Sequence, residues 1–283
     1  MKFRLLFVTL LLCYGMLVLP VAEHMQNRPV VVKLCYLPHP QILKATSGEH
    51  APTVAGFVMS RVLFYFGTVI QKFQEHIIVR PEFFNLYKTL QGVVHLDPYN
   101  MDAYYFGQAT FTWELGRIEE VNHLLKKGLV SRPWDPLIPF YLGFNYAYFL
   151  KDYQQAAVYL KRAAELSGNP LYANLAARYF YESEQSAFGL AFLETMIRDA
   201  KDQSIRKSYE MRRDALLAVI NIEKAIDAYK LMYGGRPKEL DDLVRLGFLA
   251  ELPHDPYGGT FYLDTLEKVR TTSKFTKPAE NWQ

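Results

Sequence analysis

The chain has 283 residues, half of them hydrophobic, 15% aromatic and 22% charged, with a net charge of +3. That is enough apolar material for one or two domains with real cores, and it excludes bulk disorder. The 32 Lys and Arg residues are spread along the chain without a basic block or aromatic–basic array, which argues against a nucleic-acid partner.

Lys2 and Arg4 precede an uncharged run from Leu5 to Ala22. A run of about eighteen residues is at the short end of what crosses a bilayer, and it is longer than most signal-peptide cores. The expected reading of residues 1–25 is an uncleaved helix that anchors the chain in the inner membrane. The flanking cations keep its start cytoplasmic, so the single-pass chain faces the periplasm with its bulk. A cleaved signal and a soluble periplasmic protein is the alternative. Ala22 suits a cleavage site, but Pro20 stands where a small residue is wanted. Residues 26–80 read as a linker and an N-terminal helical segment that includes Leu-Pro-His-Pro-Gln-Ile-Leu, 37–43. Cys13 lies inside the apolar run and Cys35 outside it, a poor pair for a disulfide.

The middle of the chain repeats itself. The stretch starting at Leu115 resembles the one starting at Leu150, an offset of 35 residues. Leu125-Lys126-Lys127 falls on Leu160-Lys161-Arg162, and Asp97-Pro98-Tyr99-Asn100 falls on Arg132-Pro133-Trp134-Asp135. Apolar residues recur at three and four, the helical period, and Pro and Gly punctuate the half-units. Each unit therefore reads as helix–turn–helix. This resembles the tetratricopeptide repeat, whose period is about 34 residues. The matching residues are Gly107 and Gly143, the Leu115-Gly116 turn, Tyr153, Ala156, Ala163, Pro98 and Pro133. Each first helix carries an extra residue or two before its turn. The resemblance covers 81–202, with a half-unit at Pro81–Leu96 and a weaker third unit from Leu171 to about Ala200.

The resemblance implies an all-α, right-handed superhelix of helical hairpins. It also implies a groove, lined by first helices, that binds proteins or peptides. Tyr104, Phe106, Trp113, Tyr141, Asn145 and Tyr148 are the candidate groove residues. Aromatic side chains serve both cores and interface anchors, so packing between helices is the competing use of the same residues.

Residues 203–270 read as one long helix to Tyr233, a short helix over Lys238–Leu246, and a turn leading into the strand Thr260–Leu263. Residues 271–283 read as a disordered tail. This region resembles the C-terminal half of type II secretion major pseudopilins, through Tyr229, Gly235, Pro237, Gly247, Phe248, Leu249, Leu252, Pro253, Asp255, Pro256, Tyr257 and Gly258. The prepilin cleavage motif is missing, so the segment is expected to be a cap on the array, with Tyr257 and Phe261 folded over Ala228 and Leu231. In the proteins it resembles, the loop binds calcium. Asp255 and Asp264 are too few oxygens for such a site here. The whole arrangement also resembles anchored tetratricopeptide proteins of delta-type proteobacteria.

No nucleophile elbow, phosphate loop, dinucleotide fingerprint or zinc-helix motif occurs. The seven histidines do not pair at ligand spacing. The expectation is a non-enzymatic scaffold without cofactor, metal or small-molecule substrate. It would contact the membrane through its first helix and bind proteins through its groove. A docking role in lipid or polysaccharide export is the alternative.

Overall fold

The computed structural model describes residues 2–26, 33–34, 36–77, 79, 81–113 and 116–276; side chains at 2–6, 8, 9, 12 and 24–26 lie outside that description. The described chain is mostly helical, with one two-stranded sheet. It divides into two compact units, Met1–Ala103 and Tyr104–Gln283.

The first unit begins with α1 (Lys2–Gln26), one helix that contains Pro20 and the predicted anchor. It continues with α2 (Pro40–Ser47), α3 (Ala51–Gln74) and α4 (Phe83–Leu96). Alternation at three and four residues puts Ala55, Val58, Met59, Val62, Tyr65 and Val69 of α3 on one buried face. They meet α4, where Leu86, Leu90, Val93 and Val94 are buried in turn. Polar bonds fix the edges of this unit: Arg61 donates to the Leu34 carbonyl at 2.6 Å, and the Glu82 amide donates to the Tyr65 hydroxyl at 2.6 Å. Among the described residues, the helical stretch Pro40–Gln74 is long and apolar enough to cross a membrane. By sequence alone residues 26–80 read as a linker and a helical segment, without a second membrane span.

The second unit is a chain of helices, each packed on the next: α6 (Ile118–Ser131), α7 (Leu137–Asn145), α8 (Tyr153–Ser167), α9 (Pro170–Glu182), α10 (Ser186–Asp199) and α11 (Gln203–Tyr233). They follow α5 (Met101–Trp113). One turn of π-helix, Tyr146–Leu150, extends α7. It takes up the extra first-helix residue, since a π turn is an α-helix with one residue inserted. The offset of 35 residues recurs in the backbone. The Arg117 amide donates to Phe111, and the Asp152 amide donates to Tyr146. Gly116 and Lys151, equally offset, both take the left-handed conformation, at φ 62° and 56°. Gly143 lies at a close approach of α7 to α8, because a Cβ there would lie 2.6 Å from Leu160 Cγ and 3.2 Å from the Ala156 carbonyl.

The C-terminal segment closes over α11. It contains α12 (Asp241–Arg245), β1 (Phe261–Leu263) and β2 (Val269–Thr271), and the strands pair antiparallel with Tyr262 opposite Arg270. The short helix is thus briefer than the predicted Lys238–Leu246, and β2 has no counterpart in the sequence reading. Asp255-Pro-Tyr-Gly-Gly makes the turn before β1. Asp255 is buried and accepts from the Tyr257 amide at 2.9 Å, from Ser273 Oγ at 2.6 Å and from the Thr271 hydroxyl. Gly258 has φ 81°, which suits glycine. A Cβ on Gly259 would sit 2.6 Å from both Asp255 Oδ2 and the Ser273 nitrogen.

Two expectations about this ending are corrected. Tyr257 does not cover Leu231, which is 90% exposed; it packs on Arg212 and Phe275 instead. Residues 271–276 are not a loose tail. Phe275 is buried against Tyr181, with ring centroids 4.7 Å apart, and its carbonyl accepts from Arg212 at 2.8 Å. The remainder of the predicted tail, 277–283, lies outside the described residues.

Candidate functional site

Three of the six candidate groove residues are buried in the second unit. Tyr104 and Phe106 belong to the core. Asn145 is fully buried and centres a side-chain network. Its amide nitrogen donates to Gln108 Oε1 and to Asn122 Oδ1, and its oxygen accepts from Gln108 Nε2, each at 2.8 Å. Every member has a partner, so the network ties α5, α6 and α7 in one register rather than offering groups to a ligand. In this structure these three side chains pack between helices.

Trp113, Tyr141 and Tyr148 are placed differently. Trp113 is 58% exposed and Tyr148 53% exposed. They stand together, ring centroids 5.8 Å apart. Around them are aromatics that the sequence reading did not select. Phe144 lies 5.9 Å from Trp113 and stacks on Tyr148 at 5.5 Å with planes 8° apart. Phe149 meets Trp113 edge-on at 5.3 Å. Phe140 continues the row toward α9, stacked on Tyr172 at 4.6 Å, and Tyr141 joins the exposed Tyr105 at 6.4 Å.

The helix period explains the row. Phe140, Phe144 and Tyr148 follow one another at four-residue steps, which places them on one face. Of this row the candidates from sequence include Tyr148, whereas Phe140 and Phe144 lie one residue before the candidates Tyr141 and Asn145. The π turn then brings Tyr148 and Phe149 to the same tryptophan. The signal in the sequence is the spacing of Phe140 and Phe144 at four-residue steps before the candidate Tyr148.

Chemically the face is apolar and aromatic. Lys151 Nζ lies 5.2 Å over the Tyr148 ring at its edge. Burial pushes the Tyr141 hydroxyl above its ordinary pKa, with Tyr105, Tyr172 and Asp135 adding to the shift, so it stays protonated as a donor at neutral pH. No nucleophile or acid–base pair sits in this row. Aromatic rings with polar tips supply large contact areas at low entropic cost, which is the chemistry of binding anchors.

The loop around Asp255 and Asp264 is occupied with its own structure. Both Asp255 oxygens accept internal hydrogen bonds. Asp264 accepts from the amides of Leu266 and Lys268, at 2.8 and 2.9 Å, and from Arg270. No group of three or more metal-ligating side chains gathers among the described residues.

The chain matches no protein-family model and no curated protein.

Proposed function

We propose that this chain is a membrane-anchored scaffold whose tetratricopeptide-like helical hairpins bind other proteins in the cell envelope. The observation that carries the reading is the half-buried aromatic row Trp113–Phe144–Tyr148–Phe149, extended by Phe140 and Tyr172, in which Trp113 and Tyr148 are more than half exposed. Such a patch is costly to leave in water and marks an interaction surface. Recurrence of the same backbone bond and the same left-handed residue at one offset supports stacked hairpins of a repeat array. Stacking of this kind gives a right-handed superhelix. A helical α1 over the charge-free run supports anchoring, and the cations before it favour a periplasmic bulk. The ending that resembles a pseudopilin favours assembly of secreted or pilus-like complexes as the setting.

The partner is an extended or helical peptide segment that offers apolar side chains to the row. Trp113→Ala with Tyr148→Ala is the test. Both residues are more than half exposed, so the folded chain should persist while partner recovery from detergent-solubilised membranes is lost. Unchanged recovery from a folded double variant would reject the row as the binding surface.

A further inference from the structure

The outer face of α3 is unlike the surface of an ordinary soluble helix. Phe57 and Phe64, seven residues apart, are 71% and 78% exposed, and Leu63 and Ile70 flank them. Gly56, Ser60 and Gly67 share that face with the uncharged Thr53, Thr68 and Gln71. The opposite face of the helix is already apolar and packed on α4. A helix that is hydrophobic all round is buried in a core or in lipid; one at a water surface carries charge outward. From Ala51 to Gln74 there is no Asp or Glu, and the cations are Arg61 and Lys72. Neither cation makes the outer face polar. Arg61 spends its guanidinium on the Leu34 carbonyl, and Lys72 pairs with Glu75 at the helix end, 2.8 Å away.

We infer that the outer face of α3 lies in the membrane interface, with Phe57 and Phe64 inserted among lipid acyl chains. The inference rests on the proposed anchoring of α1. Residues 27–39 join α1 to α2, and thirteen residues reach at most about 45 Å. The start of the α2–α3 stretch is therefore tethered near the bilayer that α1 enters. The stretch is apolar enough to cross a membrane by composition. Its inner face is committed to α4, so it lies along the interface rather than across it. Lipid fits this face better than a protein partner, because α3 itself contributes no acid to it and Asp102, beside Gly56 and Leu63, is the one carboxylate lining the adjoining groove, too little charge to fix the orientation of a partner.

Depth measurement on the full-length chain tests the inference. Nitroxide is attached in turn at the natural Cys13, exposed on α1, and at Phe57→Cys and Phe64→Cys, with the other cysteines replaced by serine. The protein is placed in vesicles of phosphatidylethanolamine and phosphatidylglycerol. Collisions with oxygen, which concentrates in lipid, are compared with collisions with a water-soluble nickel chelate. The expected result is that oxygen collisions dominate at all three positions. Oxygen dominance at Cys13 with nickel dominance at 57 and 64 would overturn the α3 inference and leave the anchor standing. Nickel dominance at all three would reject the anchor and the inference with it. Shielding from both reagents at 57 and 64 would mean that protein covers the face, which also overturns the inference.

Discussion

The guanidinium of Arg212 lies 4.8 Å over the ring of Tyr257 and 5.2 Å over that of Phe275. Arg212 sits on α11, and the two rings belong to the segment that closes over it. Burial pulls its pKa below the ordinary arginine value, while Tyr257 and Asp255 act to raise it. Two ring faces and one carbonyl thus hold a cation that water has left. Phe275→Ala should cost about 3–5 kcal/mol, because it empties a fully buried ring site. Tyr257→Leu keeps bulk and loses the cation–π contact, so it should cost about 0.5–2 kcal/mol. Chemical denaturation of the intact chain in detergent reads both. A Phe275→Ala variant as stable as the parent would mean that residues 271–276 do not dock.

Asp255 organises the turn with three internal donors. Asp255→Ala should cost about 1–3 kcal/mol for each buried donor left without an acceptor. Calcium should do nothing, since the carboxylate is already engaged. Melting curves with calcium and with chelator should superimpose. A rise of several degrees on adding calcium would show that the loop binds the metal after all.

Gly143 separates α7 from α8 by the width of a missing side chain. Gly143→Leu should overpack against Leu160 and the Ala156 carbonyl, costing about 1–3 kcal/mol. An unchanged melting temperature would show that the two helices part at no cost there.

Much of this helical order was legible in the sequence, because apolar spacing and an offset of 35 residues are local signals. Tyr153, Ala156 and Ala163 fall on α8, and the long helix ends at Tyr233 as its glycines suggest. The face of each first helix was not legible. Asn145 looks like a groove residue until Gln108 and Asn122 are seen to surround it, and both contacts are distant in sequence. The π turn rotates Tyr148 and Phe149 relative to a regular helix. β2 was hidden because Thr271 and Ser273 are ordinary polar residues except for the hydroxyls they offer Asp255. The outer face of α3 was missed because a helix apolar on both sides reads the same whether protein or lipid covers it.

Glu223 gives the account a pH dependence. Burial pushes its carboxyl above the ordinary range, with Glu184 and Asp227 adding to the shift and Arg236 opposing it. The folded state therefore holds this proton more tightly than the unfolded state does. Its contribution to stability is full below the unfolded value of about 4.3 and is lost as pH rises through the raised folded value. Glu223→Gln should accordingly stabilise the chain at neutral pH and do little near pH 4. Melting temperatures of the two proteins between those limits should converge on acidification; parallel curves would show that Glu223 ionises freely.

The aromatic row on α5 and α7 is proposed above to be a protein-binding surface. Its most direct measurement is site-specific photocrosslinking in intact membranes, with benzoylphenylalanine at position 148 and, as a control, at the exposed Leu231. One discrete crosslinked partner is expected from position 148, lost on Trp113→Ala and absent from position 231. No adduct at 148, or the same adducts from both positions, would contradict it.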